Sequence, residues 1–173
     1  MNFEDLAKHR YSVRSYQDRD VEDEKLAKIL EAARLAPTAA NRQPFRLVVV
    51  RDPDTRAALS EAYMRKWFYT APVVIAACGV PGESWVRSDG ANYTMVDVAI
   101  VMDHLILQAA DLGLGTCWIA DFKPEPVRRI LHLPPGVEPV ALTPLGYPAD
   151  EAKPKKRRPA EELVYWDRYV TGA

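Results

Sequence analysis

Between Met95 and Leu114 the chain reads MVDVAIVMDHLILQAADLGL, its longest apolar stretch. The length would suit a membrane span, but Asp97, Asp103, His104, Gln108 and Asp111 interrupt it, so it reads as a helix buried in a folded domain. Over Tyr93–Leu112 one stripe (Met95, Val98, Ala99, Met102, Leu105, Ile106, Ala109, Leu112) predicts a core face. A second stripe, Asp97, Val101, His104, Gln108 and Asp111, is mostly polar and predicts a face toward water or a partner subunit. GLG at Gly113–Gly115 ends the helix.

The other elements are read around this helix. Asn2–His9 and Glu22–Ala36 have helical spacing, and Pro37 stops the second. PTAANRQP (Pro37–Pro44) is a loop by composition. FRLVVV (Phe45–Val50) predicts a strand whose Leu47–Val50 end is apolar on both faces and therefore central in a sheet. A helix is expected near Thr55–Lys66, and a second buried strand over APVVIAACG (Ala71–Gly79). Pro81–Asn92 is a long loop carrying Trp85, more suited to a binding loop than to a plain connector. Thr116–Phe122 predicts a short strand with a turn and Lys123–Leu131 a small helix. Pro139–Pro148 predicts a last strand, where Pro144 marks a sheet edge or bulge. Alternation of helices and strands by itself suggests a flavodoxin-like doubly wound sheet, and element order does not separate that from a mixed sheet.

With 173 residues, one domain over 1–173 is expected, with a basic, extended arm from about residue 149. The arm ends in EELVYWDRYV (Glu161–Val170), which has too few neighbours of its own and has to lie across its own body or a partner's. The 23 basic and 24 acidic side chains nearly cancel, so the chain as a whole has no pull on nucleic acid or anionic lipid. Cys78 and Cys117 sit in apolar runs, form no CxxC and have no histidine at ligand spacing, which predicts buried thiols and no metal. The opening MNFEDLAKHR lacks the apolar core of a signal peptide, and a cytoplasmic location is expected.

Neither G-x-G-x-x-G nor a P-loop occurs, and no G-x-S-x-G elbow. The three histidines are scattered, so no catalytic side chain is expected. One short stretch does point to chemistry. In RYSVRSY (Arg10–Tyr16), Arg10, Ser12 and Arg14 alternate, and in an extended segment all three face one way. Two guanidinium groups and a hydroxyl suit a phosphate; a solvated turn is the competing reading. A phosphate site without a catalytic side chain suits a scaffold for a cofactor that carries the chemistry itself.

Taken in order, RYSVRSY, PTAANRQPFRLVVV, DLGLGTCWIADF, and LGYP followed by KPKKRRPAEEL resemble the nitroreductase family of FMN-dependent oxidoreductases, across essentially the whole chain. The resemblance implies an α+β fold, a three-layer α-β-α sandwich. Its central sheet would be mixed but mainly antiparallel, with the long helix buried at a homodimer interface. It implies bound FMN, with NAD(P)H as co-substrate in a ping-pong reaction. A hydride would pass through flavin N5 to a small electron-poor acceptor such as a nitroaromatic or quinone. Neither nucleic acid nor membrane is implied as a partner.

Carried over residue by residue, the resemblance places Arg10 and Ser12 at the phosphate and ribityl chain, with the Tyr11 backbone alongside and Arg14 near the pyrimidine end of the ring. Pro37, Thr38, Ala39 and Asn41 would reach the neighbouring subunit's flavin. Trp118, Ile119 and Ala120 would pack beside the ring, with the Ala120 or Asp121 amide donating to N5. Lys155 and Arg157 would close over the phosphate, and Trp85 would shape the acceptor pocket. Three other readings compete: other chemistry on the same flavin scaffold, such as reductive dehalogenation or flavin destruction, a flavin-binding or flavin-handling protein without turnover, and a nucleic-acid binder using the KPKKRRP arm.

Overall fold

The computed structural model describes residues 1–169 and is built on a four-stranded antiparallel sheet. Its elements begin with helices α1 (Phe3–His9) and α2 (Asp23–Arg34), strand β1 (Phe45–Val50), helices α3 (Pro53–Ala58) and α4 (Lys66–Tyr69), and strand β2 (Val73–Gly79). The long helix α5 (Thr94–Asp111), strand β3 (Gly115–Thr116), helix α6 (Pro124–Ile130) and strand β4 (Glu138–Gly146) follow. The strands lie in the order β1-β2-β4-β3. No parallel crossover joins them, so the doubly wound alternative is excluded. The parallel contact is the bridge of Ser12 to Thr116, outside the named strands.

All seven residues of β2 are buried, because helices cover both faces of the sheet. Val73, Ile75 and Ala77 join a core with Leu26 and Ile29 of α2 and Val98, Met102 and Leu105 of α5. Val74, Ala76 and Cys78 point the other way, into a second core with Leu59, Phe68 and Val127. These are the three layers that the period-two alternation of a strand requires. Burial pushes the Cys78 thiol up to about 11, so it stays protonated at neutral pH.

Four expectations change. First, among the described residues β1 is an edge strand, paired with β2 alone. Its two apolar faces record the two helical layers, since Leu47 and Val49 pack in one core and Val48 and Val50 in the other. Second, the helix expected near Thr55–Lys66 splits into α3, a 3-10 turn at Leu59–Glu61, and α4. Asp52 starts α3 by accepting the Thr55 N–H at 2.7 Å, and extended Arg65 separates the later pieces. That break lets Leu59, Ala62 and Phe68 all enter one core, with Tyr63 edge-on to Phe68.

Third, the buried face of α5 is rotated from the expected one. Asp97 and Val101, assigned to the polar stripe, are buried, whereas Met95 is 62% exposed. Fourth, Thr116–Phe122 is a strand only at its first residue, and Ile119 then makes an isolated bridge to Leu142. Pro144 explains the gap. It sits inside β4, between the partners of Thr116 and Ile119, and has no N–H to give the ladder. Cys117 and Trp118 leave the sheet opposite it.

The closing arm does not lie across its own body: every residue from Glu151 to Tyr169 is exposed, and Trp166 is 86% so. Val170 of that arm lies outside the described residues. Among the described residues no helix is long and apolar enough to cross a membrane.

At the far end of β4, Tyr147 donates its hydroxyl to Glu22 at 2.7 and 2.8 Å, and Arg19 pairs with the same carboxylate at 2.8 Å. The Tyr147 bond, more than the Arg19 and Lys25 charges, holds the Glu22 carboxyl down to about 2 from its ordinary 4.5. A carboxyl lowered by folding stabilises the fold above its unfolded value, and that contribution fades as pH falls from 4.5 toward 2. The Tm of Y147F is therefore expected to fall less steeply than that of the unaltered chain across this window. Parallel slopes in a Tm-against-pH series would refute the coupling.

Candidate functional site

The two ends of the chain meet beside β3. The Val13 N–H donates to the Thr116 carbonyl at 2.9 Å, the Gln17 N–H to the Tyr147 carbonyl at 2.9 Å, and the Ala149 N–H to the Ser15 carbonyl at 2.9 Å. The Arg10–Tyr16 segment is thus extended, as its alternation requires. Val13 is buried beneath it, and Arg10, Ser12 and Arg14 face outward.

That outward face is one wall of a cleft of about 430 Å³ whose other wall is the root of the C-terminal arm. Arg10, Arg14, Lys153, Lys155, Lys156 and Arg157 line it, together with Tyr11, Ser12, Asp150 and Glu151. Six cations face two carboxylates. Among the described residues none of the six forms an ion pair, while Arg158, just outside the cleft, reaches Glu162 at 4.0 Å. The Lys155 ammonium is pushed below its usual range by desolvation first and then by the charges of Arg10 and Arg157. Lys155 also donates to the Ala7 carbonyl. Cations crowded this way, unpaired and repelling one another, fit a multiply charged anion.

Six of the residues expected at the site are therefore together: Arg10, Tyr11, Ser12, Arg14, Lys155 and Arg157. Trp118, Ile119 and Ala120 come two to four residues after the Thr116 that bridges Ser12. Ile119 is buried and tied to Leu142, whereas Trp118 and Ala120 are exposed. Among the described residues neither the Ala120 nor the Asp121 N–H donates to a protein acceptor, so both amides are free for a ligand. The Cys117 thiol next to them is pushed up by burial, against the opposing pull of Arg14 and Ser12.

Pro37, Thr38, Ala39 and Asn41 do not line this cleft. Their loop is held in an unusual shape, with Ala40, Asn41 and Gln43 at φ of 50°, 53° and 52°. Left-handed backbone costs a non-glycine residue roughly 1–2 kcal/mol, so other contacts have to hold it. Thr38 Oγ1 accepts the Gln43 N–H at 3.0 Å, and Asp97 Oδ1 accepts the Ala39 N–H at 2.8 Å. Asp97 is 1% exposed, and among the described residues its Oδ2 has no hydrogen-bond partner. Trp85 is also apart from the cleft, half-buried and edge-on to Tyr93 at 5.0 Å.

Two residues central to this geometry escaped the sequence reading. Asp97 was assigned to the polar stripe of α5; its position three residues after Thr94 and four before Val101 was the available signal. Asp150, between Pro148 and the arm, belongs to no motif and no periodic run.

Comparison with known proteins adds an independent finding. The Nitroreductase family profile matches residues 7–69 and 63–147. A nitroreductase family protein of Clostridium difficile superposes with a TM-score of 0.89 at 41% identity, over 98% of this chain and 100% of that one. A Thermus thermophilus protein named NADH dehydrogenase is 35% identical over 91% of this chain and 92% of its own length. A Bacillus subtilis protein named FMN reductase [NAD(P)H] is 30% identical, over 95% of this chain and 73% of its own length.

Proposed function

The chain belongs to the nitroreductase family, and from that premise we propose that it is an NAD(P)H-dependent oxidoreductase holding flavin mononucleotide in the cleft between its two termini. The observation that carries the reading is the convergence of Arg10, Arg14, Lys155 and Arg157, none with an ionic partner among the described residues.

Arg10, Lys155 and Arg157 would bind the phosphate, with Ser12 and the Tyr11 backbone along the ribityl chain. Arg14 would stand at the pyrimidine end of the ring, where a fixed positive charge favours the reduced form. The Ala120 or Asp121 amide would donate toward N5, beside Trp118 and Ile119. When bound, the flavin would supply the redox chemistry, hydride transfer from NAD(P)H to a small electron-poor acceptor. The protein's own part is to bind, orient and set the charge around the ring, so no side chain need act as nucleophile.

Two copies complete the site in this reading. Pro37, Thr38, Ala39 and Asn41, held by Asp97 away from their own chain's cleft, would reach the flavin of the other copy. The exposed Leu163, Val164, Tyr165 and Trp166 would find cover on that copy, as would the outward face of α5 around Met95 and Val96.

The purified protein is expected to absorb as a flavoprotein and release the mononucleotide on denaturation. It is further expected to oxidise NADH or NADPH when a nitroaromatic or quinone is supplied. A colourless protein that takes up no added flavin would refute the cofactor, and bound flavin without NAD(P)H oxidation would reduce the chain to a flavin-handling protein.

A further inference from the structure

Asp150 is out of place by charge. It lies among six cations, where the reading above seats a phosphate, and a carboxylate there repels the ligand. It makes no ion pair with any of the six among the described residues. Its polar atoms are engaged elsewhere. The Tyr11 hydroxyl donates to the Asp150 carbonyl at 2.7 Å and reaches Oδ1 at 3.3 Å. The Arg14 backbone N–H donates to Oδ2 at 2.9 Å. One residue earlier the Ala149 N–H bonds the Ser15 carbonyl, and Gln17 Nε2 donates to the Pro148 carbonyl at 2.8 Å. From Glu151 to Tyr169 the chain is exposed, and it has no regular structure until Ala160. Lys155 touches the body again, through the Ala7 carbonyl.

From this geometry we propose that Asp150 is a positioning residue, a latch that ties the root of the C-terminal arm to the Arg10–Arg14 strand and so sets Lys155 and Arg157 over the cleft. Between Asp150 and Ala160 the arm has no secondary structure to direct it, so the direction in which it leaves the body decides where its cations fall. A carboxylate serves because its Oδ2 accepts the Arg14 amide while Oδ1 stays within 3.3 Å of the Tyr11 hydroxyl, whose shorter bond goes to the Asp150 carbonyl, all on the segment that carries Arg10. Because Oδ2 accepts the Arg14 N–H, part of the carboxylate charge is spent there rather than on the bound anion. The latch depends on the flavin reading for its consequence, not for its existence.

Charge and latching predict opposite results for one substitution. If Asp150 acts only as a charge, D150A and D150N both remove an anion from the cleft and both tighten FMN. If it acts as a latch, D150A loses the acceptor for the Arg14 N–H, while the amide oxygen of D150N keeps it. The dissociation constant for FMN is then expected to rise about tenfold in D150A, as for the loss of one hydrogen bond to a charged group. That of D150N is expected to stay within about twofold of the unaltered chain. Riboflavin, which has no phosphate, is expected to bind D150A within about twofold of the unaltered chain. The latch itself is read from amide exchange at Arg14, followed by NMR on the full chain as purified: slow in the unaltered protein and in D150N, markedly faster in D150A. FMN binding in D150A that is unchanged or tighter overturns the proposal, as does an Arg14 exchange rate that D150A leaves unchanged. Should the unaltered chain bind no flavin, the cofactor reading fails and the exchange rates alone decide the latch.

Discussion

R10A should weaken FMN binding about 100-fold, because a hydrogen-bonded pair of charged groups contributes roughly 1.5–3 kcal/mol and each 1.4 kcal/mol is a factor of ten. Arg10 stands out among the six cations because it combines a fixed backbone with a half-buried side chain. It closes α1, with its N–H donating to the Leu6 carbonyl at 2.9 Å, and its side chain is half-buried against the arm. Arg157, by contrast, is exposed, and among the described residues its guanidinium holds only the neighbouring Lys156 carbonyl at 2.9 Å. A phosphate ligand has to order that side chain, at an entropic cost that offsets part of the gain, so R157A should weaken binding by a smaller factor, about tenfold. R10K keeps the charge but loses the planar fork, and should fall between R10A and the unaltered chain. Riboflavin separates phosphate from ring. Its affinity should change no more than about threefold in R10A, since the missing contact is to a group it lacks. Equal losses for FMN and riboflavin would move Arg10 from the phosphate to the ring, and FMN binding unaltered in R10A would remove it from the site.

The alternation in Arg10–Tyr16 made this residue legible before any fold was known, and the reason is local. Period-two facing is a property of any extended segment, so Arg10, Ser12 and Arg14 share a side whatever surrounds them. The same holds for β2, whose unbroken apolar run already required cover on both faces. What stayed illegible was relational. The apolar faces of β1 record what lies above and below the strand, and say nothing about whether a second strand pairs with its outer edge. On α5, Asp97 reads as facing water or a partner because carboxylates are usually exposed, but the loop from Pro37 supplies the N–H that makes its burial tolerable. Asp150 was silent for a related reason. A latch is defined by its two partners, and Tyr11 and Arg14 stand 139 and 136 residues away in the chain. Spacing within a motif cannot register such a pair.

The second large effect follows from the residue that lets the site approach the sheet. G115A is expected to lower the Tm by roughly 4–8 °C, since overpacking of a tight contact costs about 2 kcal/mol and a chain of this size loses some 2–4 °C per kcal/mol. A β-carbon at Gly115 would stand 2.4 Å from Val13 Cγ2, 2.9 Å from Val13 Cβ and 3.1 Å from Pro148 Cγ. The first contact can be relieved by a rotamer change, but the other two are a branched carbon and a ring that cannot swing away. The strand carrying Val13 therefore has to move outward, stretching the 2.9 Å bond from the Val13 N–H to the Thr116 carbonyl. Ser12 and Arg14 flank Val13 and move with it, so FMN binding should fall with stability, by about tenfold for one weakened charged contact. V13A alone removes buried methyl groups and should cost about 2 kcal/mol. Added to G115A it takes away the atom at 2.4 Å. The double variant should then be more stable than the sum of the two single effects predicts, by about 1 kcal/mol, and should recover part of the FMN affinity. Strict additivity, with flavin binding unaffected by G115A, would show that the terminal strand does not depend on its close seat against β3.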